Sequence, residues 1–541
     1  MPDSLISEVD SMVGHAEGLL RSKDYVAAAA AAEAVLRNLP LLSKAAVVRG
    51  NALLFPLLDQ MMDGSRDNPS RAAFQEAGDM FLLAKKLDPE NEVASIEEQN
   101  MKSIIQMLLP GDEVDLHEIH HASDNTVLGK NTQVSQHDDD LDVVIVGAGA
   151  SGVGVGLMLM EQFGIDRKRM LVLERGARVG ESFRRWPKEM RFISPSFNQA
   201  AWTNSFDLNS ISQDSSPAKF LLEEHPTGEQ YANYLEAVAN ERQLPIQFCT
   251  DVTQISALGV PGHPRFKVHV KPSQASVHCK FVVWAAGEFQ YPKDSGGFQG
   301  MELCQHNSLV RSWVDVPGDE FVVIGGYESG IDAAVQLART KRPVTVLAAN
   351  RCWQESSPDP SEELAPYTRA RLRNVMADES LPQPKLHGGF TVTKVAKADA
   401  GYLVYADECA TTDRVAPGDR TQVQRIFSTA SAPILCVGFQ GSVAALVGDL
   451  FHWSSSDSAT SSPVLTDQDE STRTEGFFLV GPSVCHDGLI FCFVYKFRQR
   501  FAIVAEAVAR RLGKDTHRGI MACRSADMFL DDLAGIHACA D

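Results

Sequence analysis

One stretch of the sequence joins a short apolar strand, a glycine-rich turn, a helix and a second apolar strand that ends in an acid. Residues 143–146 lead directly into the run 147–152, Gly-Ala-Gly-Ala-Ser-Gly, and residues 170–173 precede Glu174. The β-branched residues of the first strand suit a buried parallel sheet. In this order the elements predict a βαβ unit that binds a dinucleotide.

Each glycine of this turn has a separate physical task. Gly147 allows the tight turn, Gly149 lets a pyrophosphate approach the backbone, and Gly152 lets the helix pack on the strand. The unpaired N–H groups at the helix N-terminus then bind the phosphates. Glu174 is placed to bind a ribose hydroxyl, and Ser151 belongs to the same predicted site.

A second unit of the same kind begins near residue 320. Residues 320–324 predict a buried strand and 331–339 a helix, and the residues between them are the predicted contacts to the second nucleotide: Gly325, Gly326, Tyr327, Ser329 and Gly330. Tyr327 stands where a middle glycine belongs, so its side chain crowds the approach of a pyrophosphate. The next strand, 344–347, ends near Arg351 instead of a carboxylate. A guanidinium there favours the 2′-phosphate of NADPH over NADH.

The residues before the first unit differ in composition. Residues 1–110 are rich in Ala, Leu and Glu and predict an almost entirely helical region. Segments 23–40 and 84–91 resemble tetratricopeptide repeats, although their spacing is longer than the usual period. Both a capping bundle and a partner-binding module are compatible with this pattern. The polar stretch 111–140 is interpreted as a linker.

We therefore predict an α/β fold class with two Rossmann-type, three-layer dinucleotide-binding domains, preceded by an all-α, helical-repeat-like domain. The predicted limits are a helical domain over 1–110, a linker over 111–140, a first dinucleotide-binding domain over 141–317 and 431–515, a second, NADPH-binding domain over 318–430 and a tail over 516–541. Within these limits, 454–474 is interpreted as a surface loop, 497–512 as a helix, and the tail shows no clear periodicity.

Charge and cysteine content exclude several classes of function. The net charge of -20 and the isoelectric point near 5.2 argue against binding to nucleic acid or to an anionic membrane. No apolar run approaches the roughly 20 residues that span a bilayer. The acidic start lacks a secretory signal, so we expect a cytoplasmic protein. The ten cysteines form neither a C-x-x-C pair nor the spacing of a zinc site, so no metal is expected.

Taken together, these motifs resemble the flavin-dependent monooxygenase and pyridine-nucleotide oxidoreductase superfamily. The residues 174–187 resemble the segment that runs from the ribose to the flavin ring, and 194–198 lie where relatives line the flavin. Residues 285–292 resemble the A-T-G-x-x-x-x-P turn, with Ala286 at the threonine position, and 476–482 resemble the last FAD-binding loop. The resemblance implies these further FAD contacts: Arg175, Ser182, Trp186, Ser194, Ala286, Gly287, Gly481 and Pro482.

The resemblance implies FAD in the first domain, NADPH in the second, and a small-molecule substrate that reacts with oxygen. It favours a class B-like monooxygenase that forms a flavin C4a-hydroperoxide, with Asn198 as the candidate hydrogen-bond donor. The class B motif before the second unit matches in part, because Cys304 holds the histidine position and His306 falls two residues late. Two alternatives stay open. One is a disulfide reductase without C-x-x-C that uses a single thiol, and the other is a redox-sensing flavoprotein whose helical N-terminus recruits a partner.

Overall fold

The computed structural model describes residues 140–196, 207–273, 276–355, 363–408, 423–455 and 461–533. The predicted helical region over 1–110, nearly all of the predicted linker and the candidate Asn198 lie outside these ranges. In the described part of the chain, no helix has the length and apolar character needed to cross a membrane.

The described strands form two larger sheets and three smaller ones. They are β1 (Leu141–Val146), β2 (Met170–Leu173), β3 (Ile246–Gln247), β4 (Asp251–Ala257), β5 (Phe266–Lys271), β6 (Ser276–Trp284), β7 (Gln305–His306), β8 (Phe321–Ile324), β9 (Val344–Ala348), β10 (Lys385–Gly388), β11 (Phe390–Ala398), β12 (Gly401–Glu408), β13 (Gln424–Thr429), β14 (Ile434–Leu435), β15 (His452–Trp453), β16 (Pro463–Val464), β17 (Phe477–Leu479), β18 (Cys485–His486) and β19 (Leu489–Ile490).

The described residues also form α-helices, π-helical turns and 3-10 turns. The α-helices are α1 (Ala150–Leu157), α2 (Glu181–Arg184), α3 (Pro217–Leu221), α4 (Gly228–Glu241), α5 (Glu328–Arg339), α6 (Pro366–Ala377), α7 (Val494–Arg511) and α8 (His517–Ser525). A π-helical turn, Met158–Gln162, prolongs α1, and a second covers Val443–Val447. Short 3-10 turns cover Arg167–Arg169, Met301–Leu303, Asn307–Leu309 and Gly448–Leu450.

The first sheet has seven strands in the order β3-β2-β1-β6-β5-β4, and β17 also pairs with β6. Its parallel part is β3, β2, β1, β6 and β17, while β4 and β5 run antiparallel to their neighbours. The parallel part places the carboxyl ends of β1, β2, β6 and β17 at one edge. In open α/β sheets this edge is where ligands bind.

Strand β6 belongs to both parts of this sheet, and its sequence explains why. Its first half alternates between more and less buried residues and pairs with β5, whereas residues 281–284 are all buried. Alternation suits a sheet with one covered face, and a continuous apolar run suits a strand covered on both faces. The buried half pairs with β1 on one side and with β17 on the other.

The second sheet has five parallel strands in the order β10-β9-β8-β14-β7. Helix α5 follows β8 as α1 follows β1, so the βαβ unit occurs twice, as expected. The two short strands β7 and β14 come from residues outside the predicted 318–430 segment. A three-stranded antiparallel sheet, β11-β12-β13, follows β10 along the chain. The expected α/β class with Rossmann-type sheets is confirmed for the described residues.

The interpretation of 454–474 as a surface loop is wrong for its second half. Asp469 is fully buried, and its carboxylate accepts two hydrogen bonds from the buried Arg500 at 2.8 and 3.0 Å. His486 contacts the same carboxylate at 2.6 Å. Glu470 forms a two-pronged ion pair with Arg511 at 2.5 and 2.6 Å. Buried charges require such partners, so the polar composition of this segment reflects ion pairs to α7 instead of solvation.

The described part of the tail, residues 516–533, contains a helix that its composition does not indicate. Helix α8 covers His517–Ser525, and its buried Cys523 contacts the sulfur of Met158 at 3.4 Å. The predicted helix over 497–512 is found as α7, which begins three residues earlier, at Val494.

Candidate functional site

The first glycine-rich turn connects β1 to α1. At two of its three glycines there is no room for a side chain. Gly147 has a φ of +105°, and a Cβ added there would lie 2.6 Å from the carbonyl oxygen of Ala285. A Cβ at Gly152 would collide with the carbonyl oxygen of Gly147. By contrast, a Cβ at Gly149 would meet no atom within 4 Å. Gly149 therefore faces open space, as a residue that leaves room for a ligand must.

The N-terminus of α1 is available to an anion. Gly149 is its N-cap residue and provides no side-chain hydrogen bond, and no acidic residue occupies the first turn. The first N–H groups of a helix lack partners within the helix and carry a partial positive charge. Together with the space at Gly149, this arrangement fits the pyrophosphate of a dinucleotide.

Glu174 lies at the end of β2 beside this turn and is nearly buried. Its carboxylate accepts hydrogen bonds from the backbone N–H of Ala148 at 2.7 Å and of Gly176 at 2.6 Å. Two such bonds hold the carboxylate in a fixed orientation against the glycine-rich turn. This is the position in which an acidic side chain can bind a ribose hydroxyl.

A cavity of about 350 Å³ opens at the carboxyl ends of the parallel strands and adjoins the first turn. Most of the residues predicted to bind FAD line it: Gly147, Gly149, Ser151, Glu174, Ser182, Trp186, Ser194, Ala286, Gly287 and Pro482. Gly481 lies next to this wall, with a φ of +103° and the hydroxyl of Ser151 only 2.7 Å from where a Cβ would stand. Arg175 is exposed and lies outside the wall.

Aromatic side chains form one wall of this cavity. The ring of Phe183 packs against the rings of Trp186, Phe192 and Tyr231, with centroid distances of 5.3, 5.6 and 4.9 Å. Phe289, from the turn after β6, extends the wall 6.2 Å from Trp186. Flat apolar faces of this kind suit an isoalloxazine ring and exclude water from it.

Asn209 is a cavity residue that the sequence motifs did not identify. It is buried, and its amide nitrogen donates to the carbonyl of Ser194 at 2.8 Å and to the hydroxyl of Ser196 at 2.9 Å. It thereby fixes the segment that lines the cavity. The candidate Asn198 lies just beyond, outside the described residues. Sequence spacing could not select Asn209, because it lies well beyond the motif 194–198 along the chain.

The second glycine-rich turn has the same backbone form but a different surface. Gly325 has a φ of +106°, and added Cβ atoms at Gly325 and Gly330 would collide with backbone atoms, as at Gly147 and Gly152. At Gly326 an added Cβ would press on Trp353 at 2.7 Å. The side chain of Tyr327 turns away to donate a hydrogen bond to the carbonyl of Glu363 at 3.1 Å. Of the predicted contacts in this turn, Ser329 lines the cavity next to the flavin region.

Glu328 and the N-terminal end of α6 meet beside this turn. The Glu328 carboxylate accepts hydrogen bonds from the N–H of Ala365 at 2.5 Å and from the hydroxyl of Thr368 at 2.6 Å. Burial raises the pKa of this carboxyl, and the bond from Thr368 opposes the rise. The segment 363–368 is therefore held against the start of α5.

One helical turn further along α5, Asp332 and Arg371 form a buried ion pair on the cavity wall. Arg371 donates to Asp332 at 2.6 Å, and its guanidinium also lies 4.5 Å over the ring of Tyr367. Tyr367 in turn stacks on His225 at 3.8 Å. Burial raises the pKa of Asp332, while the positive charge of Arg371 lowers it. This pair joins α5 to α6 at the inner end of the cavity.

Arg351, the predicted reader of the 2′-phosphate, lines a separate polar pocket of about 370 Å³. The pocket is walled by Arg351, Trp353, His387, Phe390 and Arg425, among others. Burial and the positive charges of Arg425 and Lys385 lower the pKa of His387. Glu408 also lines the pocket and pairs with Arg425 at 2.9 Å, so the net positive charge comes from Arg351 at the end of β9, where it suits an anionic group such as a phosphate.

The partial class B motif has a structural role in this fold. His306 is buried, with its ring nitrogens 2.9 Å from the hydroxyl of Ser308 and 3.1 Å from the carbonyl of Gly438. Burial lowers the pKa of His306 and raises that of Cys304 to about 12. Neither side chain belongs to the cavity wall.

Residues 144–481, more than half of the sequence, match the pyridine nucleotide-disulphide oxidoreductase family. The chain belongs to this family. This match confirms the expected superfamily. It also confirms that the protein is an oxidoreductase that depends on FAD and a pyridine nucleotide. FAD and NADPH, the two expected cofactors, are cofactors of this group of flavoenzymes.

Several solved structures share the fold of this oxidoreductase at low sequence identity. Bacillithiol disulfide reductase from Staphylococcus aureus has a TM-score of 0.53 and 18% identity, covering 68% of this chain and 98% of its own. Ornithine N-hydroxylase from Kutzneria sp. 744 has a TM-score of 0.54 and 14% identity, and the match covers 69% of this chain and 100% of the hydroxylase. Ornithine hydroxylase from Pseudomonas aeruginosa has a TM-score of 0.51 and 14% identity, and the match again covers 69% of this chain and 100% of the hydroxylase. These likenesses establish the fold and leave the reaction to be argued from the cavity.

Proposed function

We propose that this oxidoreductase is a single-component monooxygenase that uses NADPH and FAD to oxygenate a small molecule. The observation that carries the proposal is the aromatic-walled cavity beside the first glycine-rich turn, combined with the lack of any C-x-x-C pair in the sequence. Reducing equivalents have no C-x-x-C dithiol through which to leave, which favours oxygen as their acceptor. An enclosed apolar wall also protects reactive oxygen chemistry from water.

The residues of the first unit fit FAD. The open space at Gly149 and the N-terminus of α1 accommodate the pyrophosphate, Glu174 the ribose, and the wall near Trp186 and Phe289 the flavin ring. A bound flavin supplies hydride acceptance from NADPH and activation of molecular oxygen. The protein's own contribution is to orient the ring and to exclude water. Asn198 stays our candidate hydrogen-bond donor to the oxygenating species.

The second unit supports NADPH over NADH. Arg351 lines the pocket at the end of β9, where the 2′-phosphate of NADPH would lie, while Arg425 in the same pocket is paired with Glu408. Ser329 is shared between the second turn and the flavin cavity, so a nucleotide bound at α5 would reach toward the flavin. This continuity favours hydride transfer between the two cofactors.

The proposal is tested by following NADPH, oxygen, hydrogen peroxide and product together in the purified holoenzyme. With a suitable amine, thioether or ketone, we expect NADPH oxidation to rise and oxygenated product to form in step with it. Without a substrate, the same electrons should appear as peroxide. NADPH oxidation that continues at the same rate without oxygen, with a disulfide as acceptor, would refute the proposal.

A second candidate, a thiol-dependent reductase, is favoured by one observation: Cys492 lines the cavity close to the start of α7. In that reaction the Cys492 thiolate would displace one thiol from a small disulfide and form a mixed disulfide. Two electrons that NADPH supplies through the flavin would then reduce this mixed disulfide, which frees the second thiol and restores Cys492. The discriminating measurement is anaerobic reduction of a low-molecular-weight disulfide by wild type and by Cys492→Ser. Cys485, in the neighbouring hairpin of β18 and β19, provides the matched substitution outside the cavity wall.

A further inference from the structure

The cavity contains one carboxylate that its surroundings leave without a partner. Five carboxyl groups line it, and four of them are engaged: Glu174 by backbone N–H groups, Glu328 by Ala365 and Thr368, Asp332 by Arg371, and Glu181 by Arg185 at 3.9 Å. Glu288 is the fifth. Among the described residues, its carboxylate makes no hydrogen bond or ion pair.

The backbone that carries Glu288 is nevertheless firmly held. The N–H of Ser442 donates to the carbonyl of Gly287 at 3.1 Å. The N–H of Tyr291 donates to the carbonyl of Glu288 at 2.9 Å. The N–H of Gln440 donates to the carbonyl of Tyr291 at 2.8 Å. The side chain therefore projects from a fixed turn into the cavity. A half-buried, unpaired carboxylate destabilises a protein, so its presence at this position calls for a ligand.

The environment of Glu288 is apolar, with a net negative charge further out. Phe289 beside it stacks on Phe439 at 4.7 Å. Burial raises the pKa of the Glu288 carboxyl, and the positive charge of Lys293 opposes the rise. The other charged groups of the cavity wall are Glu174, Glu181, Glu328, Asp332, Arg191 and Arg371. Carboxylates thus outnumber guanidinium groups, and the field of the cavity favours a cation.

We propose that Glu288 binds the positively charged nitrogen of the substrate, so that the enzyme acts on amines. The inference rests on the proposed function, because it places the substrate in the part of the cavity that a bound flavin leaves open beside Phe289. An ammonium group supplies both the charge and the N–H donors that the carboxylate lacks. Neutral substrates, such as thioethers, leave Glu288 desolvated and unpaired and bind less well.

The test is a binding titration of the oxidised holoenzyme, monitored by the flavin absorption spectrum in the absence of NADPH. The probes are n-hexylamine, as its ammonium ion, and the neutral dipropyl sulfide. Loss of a charge-assisted hydrogen bond corresponds to roughly a ten-fold or greater weakening. We expect Glu288→Gln to weaken hexylamine binding by that factor without weakening dipropyl sulfide binding, and to leave FAD content and the KM for NADPH unchanged.

The control and the pH dependence sharpen the result. Asp294→Asn removes an exposed carboxylate from the same segment outside the cavity wall, and it should behave as the wild type. Hexylamine stays protonated near neutral pH, so its affinity for the wild type should fall as pH decreases through the raised pKa of Glu288. Glu288→Gln should lose this dependence.

Each contrary outcome has a definite meaning. Equal weakening of both probes, or loss of FAD from Glu288→Gln, would identify Glu288 as a structural or cofactor contact and overturn the inference. Failure of hexylamine to bind the wild type would overturn it as well. If hexylamine binds through Glu288 but yields no oxygenated product, the proposed monooxygenase activity fails while the cation site stands.

Discussion

The two glycine-rich turns share a backbone and differ in what surrounds it. The first leaves open space at Gly149 and orders its carboxylate, Glu174, with two backbone hydrogen bonds. The second carries Tyr327 at the equivalent position, tied to Glu363, and has Arg351 near the end of its second strand. The first turn thus suits a permanently bound nucleotide, and the second suits one that must arrive and leave in each catalytic cycle. Two turns with the same backbone geometry can therefore differ in how tightly they bind a nucleotide.

The strongest test of this contrast lies at Gly149. Because a Cβ there meets no protein atom, Gly149→Val should fold normally, yet its side chain would occupy the place of the pyrophosphate. We expect a colourless protein with an unchanged circular dichroism spectrum. Gly152→Ala is the matched control, since its Cβ would collide with Gly147, and it should lower the melting temperature instead. A yellow Gly149→Val protein would contradict the assigned role of the first turn.

The second turn is tested through its phosphate pocket. Arg351→Ala removes a guanidinium that would pair with the 2′-phosphate, and a charge-assisted contact of this kind is worth about 1.5–3 kcal/mol. Steady-state kinetics should therefore show a KM for NADPH raised by roughly ten-fold or more, with the KM for NADH nearly unchanged. Parallel changes for both nucleotides would mean that Arg351 does not distinguish them.

A smaller effect is expected at the residue that most separates the two turns. Tyr327→Phe keeps the ring and removes the hydroxyl that donates to Glu363. The free energy of unfolding should fall by about 0.5–1.5 kcal/mol, the usual value of one such bond. The KM for NADPH should stay the same, because the hydroxyl is directed at Glu363 and the ring keeps its place in the variant. Urea denaturation and initial-rate kinetics measure the two quantities separately.

The smallest effect concerns Glu288, on the turn between the two regions. Its pKa is raised in the folded protein, so ionisation destabilises the fold once pH exceeds the pKa of the unfolded state. Glu288→Gln should therefore raise the melting temperature near neutral pH, by about 1–2 °C for a protein of this size. At a pH below the ordinary carboxyl pKa the difference should vanish, because the residue is then protonated in both states. An equal stabilisation at every pH would exclude this explanation.

Local sequence pattern predicted the parts of the molecule that depend on neighbouring residues. The strand, turn and helix of each βαβ unit follow from glycine spacing and β-branched runs, and both units are found where expected. The wall around Glu288 and Asn209 could not be predicted in this way, because those side chains reach the cavity through contacts between distant segments. Asp469 was missed for a related reason. The sequence alone does not distinguish a polar segment exposed to water from one whose carboxylate pairs with a distant guanidinium, as Asp469 does with Arg500.

The pairing of β17 with β6 also has a consequence for how the chain is made. Residues 477–479 complete a sheet whose other strands end at Trp284, and the whole second nucleotide-binding region lies between them in the sequence. On the ribosome, the first sheet must therefore wait with one side of residues 282–284 of β6 uncovered while the inserted region emerges and folds. Contacts this distant along the chain form late and slowly. A nascent chain stopped before residue 477 should attract chaperones through its exposed β6 edge and be unable to retain a flavin.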